Sequence, residues 1–167
     1  LDEGLSGDGL AGDGVFGAKL PPQPEKTVVE FYVQARDSQG RSRTWPAATH
    51  DAGSQDANAL YQVDNSVYSG SQPIYRFIVK SQEWSSWTDL MDHVSGGRFS
   101  DAQMNGALVR VDSSGTDVRY CVGLRNRGAG TRAAMPHNLH LSVTLDNPME
   151  GIARLDFNTR TVHSQVA

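Results

Sequence analysis

Apolar and polar positions alternate along much of the chain, and a period of two predicts half-buried strands. Thr27 to Asp37 places Val29, Phe31, Val33 and Ala35 on one face, with Glu30, Gln34 and Arg36 mostly on the other. Ser38-Gln39-Gly40 then predicts a turn, and Arg41 to Pro46 a short returning strand. Upstream, Val15 to Leu20 reads as a further strand that stops at Pro21-Pro22. Ile74 to Lys80 is expected as a strand with Tyr75, Phe77 and Val79 on one face. Ser81 suits an N-cap, because its hydroxyl can accept an otherwise unsatisfied N–H of a first helical turn. From Gln82 to Val94 the period changes: Trp84, Trp87, Met91 and Val94 share one helical face, which Leu90 widens. Gly96-Gly97 would end that helix in a left-handed cap. Its two tryptophans could stack on a base or a sugar, but core packing is the preferred reading.

Strand periodicity then resumes. Asn105 to Asp112 sets Ala107, Val109 and Val111 against Leu108 and Arg110, and Ser113-Ser114-Gly115 turns the chain. Val118 to Asn126 pairs back, with Val118, Tyr120, Val122 and Leu124 pointing one way and Arg119, Cys121, Gly123, Arg125 and Arg127 the other. Asn138 to Asp146 directs Leu139, Leu141, Val143 and Leu145 inward, Asn147-Pro148 turns, and Ile152 to Phe157 forms a last strand. The expected class is α+β, mostly antiparallel β with one main helix. Residues 47–72 are rich in Ala, Ser, Asp, Gln and Gly and read as a linker across a domain boundary, with Leu60 to Val63 pairing briefly as a strand. His50, in that stretch, reads as an exposed linker histidine. The division is 1–49, a linker over 50–72, and a second unit over 73–167.

Charge and composition narrow the function. The chain has 167 residues and a net charge of −4, so a general nucleic-acid surface, which needs a basic face, is not expected. It has one cysteine, Cys121, so no intrachain disulfide is expected; a lone strand cysteine reads as a small buried residue. No apolar run reaches the length of a membrane span. The chain opens on Leu1 and is read as an internal fragment of a longer protein. Residues 1–14, LDEGLSGDGLAGDG, must be loop. Their carboxylates, Asp8 and Asp13 above all, have the hard oxygens that calcium takes, although the spacing is not that of an EF-hand. A solvated turn region, where Gly and Asp tolerate left-handed backbone, is the preferred reading.

Against the mildly acidic background, Arg119, Arg125, Arg127 and Arg132 fall within fourteen residues with no Asp or Glu between them. Guanidinium groups present a planar fork of donors that fits phosphate, and glycines such as Gly128 and Gly130 let backbone N–H groups approach an anion. The Gly-Ala-Gly turn is not a Walker motif: it joins strand to strand and lacks the following Lys-Ser/Thr. On pattern alone, arginines paired with Asp112, Asp117 or Asp146 on a solvated strand face are the simpler reading.

Two resemblances extend these readings. Gly7 to Pro46, through GDGVFGA, VVEFYVQARDSQG and the closing Trp45-Pro46, resembles the closing half of the fibronectin-III/immunoglobulin-like modules of secreted bacterial multidomain proteins. Such modules imply spacing or protein contact. Residues 73–167, through YRFI, ALVRV, YCVGLRNRGAGTR, PHNLHLSV, NPMEG and LDFN in that order, resemble the N-terminal part of the CotH (spore coat protein H-like) atypical kinases. Together the two resemblances imply a partial immunoglobulin-like sandwich followed by a partial kinase-like domain, in an exported, extracytoplasmic parent. The kinase resemblance implies, in the intact parent, ATP with a divalent metal such as Mg and phosphoryl transfer to a protein substrate, with the fragment itself expected to be inactive. Arg125, Arg127, Gly128, Gly130 and Arg132 become the phosphate- or nucleotide-binding candidates. His140 and Ser142 stand where the family often carries basic residues, and Thr131 where serine is common. The family's metal-holding acids are expected beyond Ala167, so Asp146, Glu150 and Asp156 are given no catalytic role, and His137 and His140 are read as surface residues. The alternative is a non-catalytic cell-surface or coat-assembly binding module whose arginines hold an acidic partner or pack structurally.

Overall fold

The computed structural model describes residues 1–48, 54–92, 100–128 and 137–158. The elements run β1 (Val28–Phe31), β2 (Val33–Arg36), β3 (Ser42–Trp45), β4 (Ala59–Gln62), β5 (Ile74–Val79), α1 (Ser81–Asp92), β6 (Met104–Asp112), β7 (Gly115–Asn126), β8 (Leu139–Ser142) and β9 (Arg154–Phe157). Strands β5 to β9 form one antiparallel sheet in chain order, β1 pairs with β4, and β2 pairs with β3. Every named pairing is antiparallel. The class is therefore α+β, mostly antiparallel β with one main helix.

The large sheet buries apolar residues on both faces because its strands carry them at both parities. On one face Met104, Leu108, Val122, Leu124, Leu141, Val143 and Met149 form a cluster, flanked by Phe77, Val79, Leu139, Leu155 and Phe157. On the other, Ile78 and Ala107 pack with Leu60 of β4, beside Val109 and Tyr120. Tyr75, Phe77 and Val79 were expected on one face; Phe77 and Val79 flank the first cluster, and Tyr75 meets Phe157 ring to ring at 5.7 Å. Ile78, between them, is buried on the opposite side.

One irregularity controls what β7 presents. Gly106 lies opposite Val122 but Leu108 lies opposite Arg119, so Ala107 faces two residues, Tyr120 and Cys121. This is a β-bulge, and Cys121 accommodates it with a left-handed φ of 54°. Side chains normally alternate across a strand, and one extra residue swaps the faces beyond it. Hence Val118 and Tyr120 belong to the face covered by β4, whereas Val122 and Leu124 enter the opposite cluster. The unbroken apolar alternation expected along β7 is present as residues but divided between two faces.

Other expectations need correction. The stretch from Thr27 to Asp37 breaks at Tyr32, and its halves pair with different partners, β4 and β3. Val29 and Phe31 are half-buried, but Val33 and Ala35 lie exposed on the β2–β3 ribbon. Val15 to Leu20 is not a strand: its contact across the loop is the reciprocal pair Gly17 N–H to Leu1 C=O (2.9 Å) and Leu1 amine to Gly17 C=O (3.0 Å). At the helix, Trp84 N–H donates to Lys80 C=O at 2.9 Å, so Lys80 rather than Ser81 stands at the cap. The side chains of Trp87, Leu90 and Met91, and residues 93–99, lie outside the described part. The brief strand expected at Leu60 to Val63 is β4, Ala59–Gln62, with Ala59 and Leu60 fully buried.

Candidate functional site

The bulge in β7 sorts the arginines. Arg119 lies opposite Leu108, on the face of the larger cluster, where it pairs with Asp117 and donates from Nε (3.2 Å) and Nη2 (3.1 Å) to Pro148 C=O. Arg125 follows Leu124, which enters that cluster, so its side chain leaves from the other face. The expectation that Arg119, Arg125 and Arg127 share one strand face is therefore corrected: Arg125 and Arg127 lie together and Arg119 lies behind them. Asp117, one of the acids expected as a partner, does pair with an arginine; Asp112 pairs with Arg110 instead.

Beside Arg125, across the strand pairing, lies His140 of β8, and beyond His140 lies Asp156 of β9. His140 Nδ1 is 2.7 Å from Asp156 Oδ1, and its Nε2 is 3.5 Å from Ser142 Oγ. Arg127 Nε is 3.2 Å from Asp156 Oδ2, and its Nη1 donates to Asn158 Oδ1 at 2.7 Å. One carboxylate thus holds both a guanidinium and an imidazole. Arg125 Nη1 pairs with Asp101 Oδ1 at 3.0 Å, and that aspartate side chain is 82% exposed. His140, read from sequence as a surface residue, has a side chain only 16% exposed.

The strand end beside this face is shaped for close approach. Arg127 N–H donates to Asn138 C=O at 2.8 Å, which continues the β7–β8 ladder one step beyond Asn126. Gly128 then turns with φ +101°, a conformation that a side chain would oppose. Gly130, Thr131 and Arg132 lie outside the described residues. The donor set of Arg125 and Arg127 fits phosphate oxygens. For a metal, no group of three or more His, Cys, Asp or Glu side chains gathers among the described residues.

The acidic N-terminal loop uses its carboxylates on its own backbone. Buried Asp8 accepts N–H groups from Glu3 (2.8 Å), Gly4 (2.9 Å) and Ser6 (2.7 Å), and Asp13 accepts from Leu10 (3.0 Å) and Val15 (2.8 Å). The Ser6 N–H, foremost, holds the Asp8 carboxyl below its ordinary value, and the Val15 N–H does the same for Asp13. Gly4, Gly7, Gly9, Gly12 and Gly14 all take positive φ, as the turn reading of residues 1–14 expects, but Asp8 is buried rather than solvated. Cys121 is a free thiol whose half-burial pushes its pKa up, away from the thiolate a nucleophile needs. Elsewhere, a cavity of about 180 Å³ is lined by Tyr61, Asp64, Arg76, Ile78, Val109 and Val118.

Sequence reasoning missed Asp101, Asp156 and Asn158 as the groups that meet these arginines. Alternation along β9 sets Asp156 opposite in face to Leu155 and Phe157, a signal not drawn on, and pairing register alone puts it beside His140. Among the described residues no helix is long and apolar enough to cross a membrane. Compared with known proteins, the chain matches no family model, no curated protein and no solved structure.

Proposed function

We propose that the Arg125–Arg127 face of β7 is the phosphate-contacting surface of a CotH-like atypical kinase, acting in ATP-dependent phosphoryl transfer to a protein. The observation that carries this reading is the pair of guanidinium groups on one strand face beside the left-handed backbone of Gly128. Their acid partners are accessible, so a stronger anion can exchange with them: the Asp101 side chain is 82% exposed, and Arg127 and Asp156 are 42% and 41% exposed. Exposed ion pairs are worth only about 0–1 kcal/mol, so exchange costs little.

In this reading Arg127, with Arg125 beside it, binds and orients phosphate oxygens and offsets their charge. Bound ATP would supply the phosphoryl group. The resemblance also supports reading residues 1–49 as closing strands of an immunoglobulin- or fibronectin-III-like module, joined through 50–72 to the kinase-like part, in an exported protein. A divalent metal remains part of the proposal through the resemblance alone.

Titration of ATP into the full natural chain tests the proposal. Arg127→Ala should weaken ATP about ten-fold, the loss of a charge-assisted contact of roughly 1.5 kcal/mol. Arg119→Ala, on the opposite face, should leave ATP affinity unchanged. Equal affinity for wild type and Arg127→Ala would remove the phosphate role. That result would favour the second reading, a non-catalytic binding module. The ion pairs already satisfying Arg119, Arg125 and Arg127 are the observation on its side.

A further inference from the structure

Asp156 occupies an unusual place in this surface. Its two oxygens are divided between two cationic or potentially cationic groups, Oδ2 toward Arg127 Nε (3.2 Å) and Oδ1 toward His140 Nδ1 (2.7 Å). A carboxylate held in that way does what one edge of a phosphate would do: two acceptor oxygens meet donors on neighbouring strands. Asp101 plays a similar part for Arg125 at 3.0 Å, from a position that is nearly fully exposed.

We infer that Asp156 is the resident anion of the Arg125–Arg127 face, a built-in competitor that selects for ligands with at least two adjacent negative charges. The inference rests on the phosphate reading and specifies its substrate class. A singly charged anion entering the site exchanges one negative charge for another and gains nothing over the carboxylate. A diphosphate or triphosphate brings several charges at once. One phosphate group can take the place of Asp156 at Arg127 while its neighbour reaches Arg125 in exchange for Asp101. Displaced Asp156 keeps His140 as a partner, so no buried charge is stranded. The site thereby discriminates by repulsion as well as attraction, which is how specificity against close alternatives is commonly built.

The test is binding of pyrophosphate to the full natural chain, with inorganic phosphate and acetate as probes of lower charge. Asp156→Asn keeps the shape but removes the competing charge, and its single amide oxygen can still accept from Arg127. It should bind pyrophosphate about two- to five-fold more tightly than wild type, the scale of one partly exposed charge pair. It should also narrow the preference for pyrophosphate over acetate. Asp37→Asn, which removes a charge on the distant β2–β3 turn, controls for net charge and should change neither. If Arg127→Ala weakens pyrophosphate but Asp156→Asn leaves it unchanged or weaker, the resident-anion inference fails while the phosphate reading stands. If wild type binds pyrophosphate and Arg127→Ala has no effect, or if neither wild type nor Asp156→Asn binds pyrophosphate at millimolar concentration, the phosphate reading fails and takes this inference with it. Binding by Asp156→Asn where wild type shows none would support the inference in its strongest form.

Discussion

Cys121 has a backbone φ of 54°, in the region where a non-glycine residue is uncommon. It sits there because the bulge opposite Ala107 needs a residue that can absorb the extra length of β7. A β-branched side chain tolerates this conformation poorly. Cys121→Val is therefore expected to cost about 1–3 kcal/mol, read as a lower urea midpoint, whereas Cys121→Gly should hold the midpoint near that of wild type. An unmoved midpoint for Cys121→Val would mean that the strand runs without this turn of its backbone. The same residue explains why the arginine cluster was only partly legible. Arg119 and Arg125 are six positions apart, and strict alternation assigns them to one face. A single inserted residue between them reverses that assignment, and no local propensity in Arg-Tyr-Cys-Val announces it.

At the scale of elements, the β1–β4 pair is fastened to the large sheet by polar contacts at its margin. Lys80 Nζ pairs with Glu30 Oε1 at 2.8 Å, Asn58 Nδ2 donates to the same oxygen at 2.9 Å, and Asn105 Nδ2 donates to Asn58 C=O at 2.8 Å. The Lys80 contact first, then the Asn58 bond, holds the Glu30 carboxyl below its ordinary value of 4.5. A lowered folded-state pKa means that the carboxylate form favours the fold. Its contribution is complete above the ordinary value and is lost as pH falls through it toward the folded value. The midpoint of denaturation should therefore fall between pH 5 and pH 3 more steeply in wild type than in Glu30→Gln. Parallel pH profiles for the two proteins would show that Glu30 is not coupled to folding. These elements were readable as elements: β3, β4 and the β6–β7 hairpin stand close to where alternation and turn residues placed them. The break at Tyr32 was not readable, because both halves of that stretch keep the same period and differ only in the partner each finds.

For the whole molecule, Leu60 is the residue on which the two layers meet. It is fully buried and packs with Ile78 of β5 and Ala107 of β6. Around it, Phe31 meets Tyr61 at 6.0 Å and Tyr120 at 5.6 Å, and Trp45 meets Tyr120 at 5.9 Å, so rings from β1, β3, β4 and β7 close one aromatic group. Leu60→Ala leaves a cavity at this junction and should cost about 2–4 kcal/mol. Amide hydrogen exchange should then quicken in β1 and β4 together, by more than in β7. Faster exchange confined to β4 would show that the two strands do not dock as a unit. The α+β class and the succession of strand, helix and antiparallel strands followed from the sequence alone. A period of two or of 3.6 is a property of neighbouring residues, and so are the turn signals between them. The acid-rich N-terminal loop was legible in part for the same reason, since Asp8 and Asp13 bind N–H groups within five residues, whereas Asp2 reaches across to Gly12 and Gly14. Which arginines share a surface, which acids meet them, and which face of β7 is covered by β4 were decided only in three dimensions. Those relations depend on register between strands distant in sequence and on one bulged residue that shifts it.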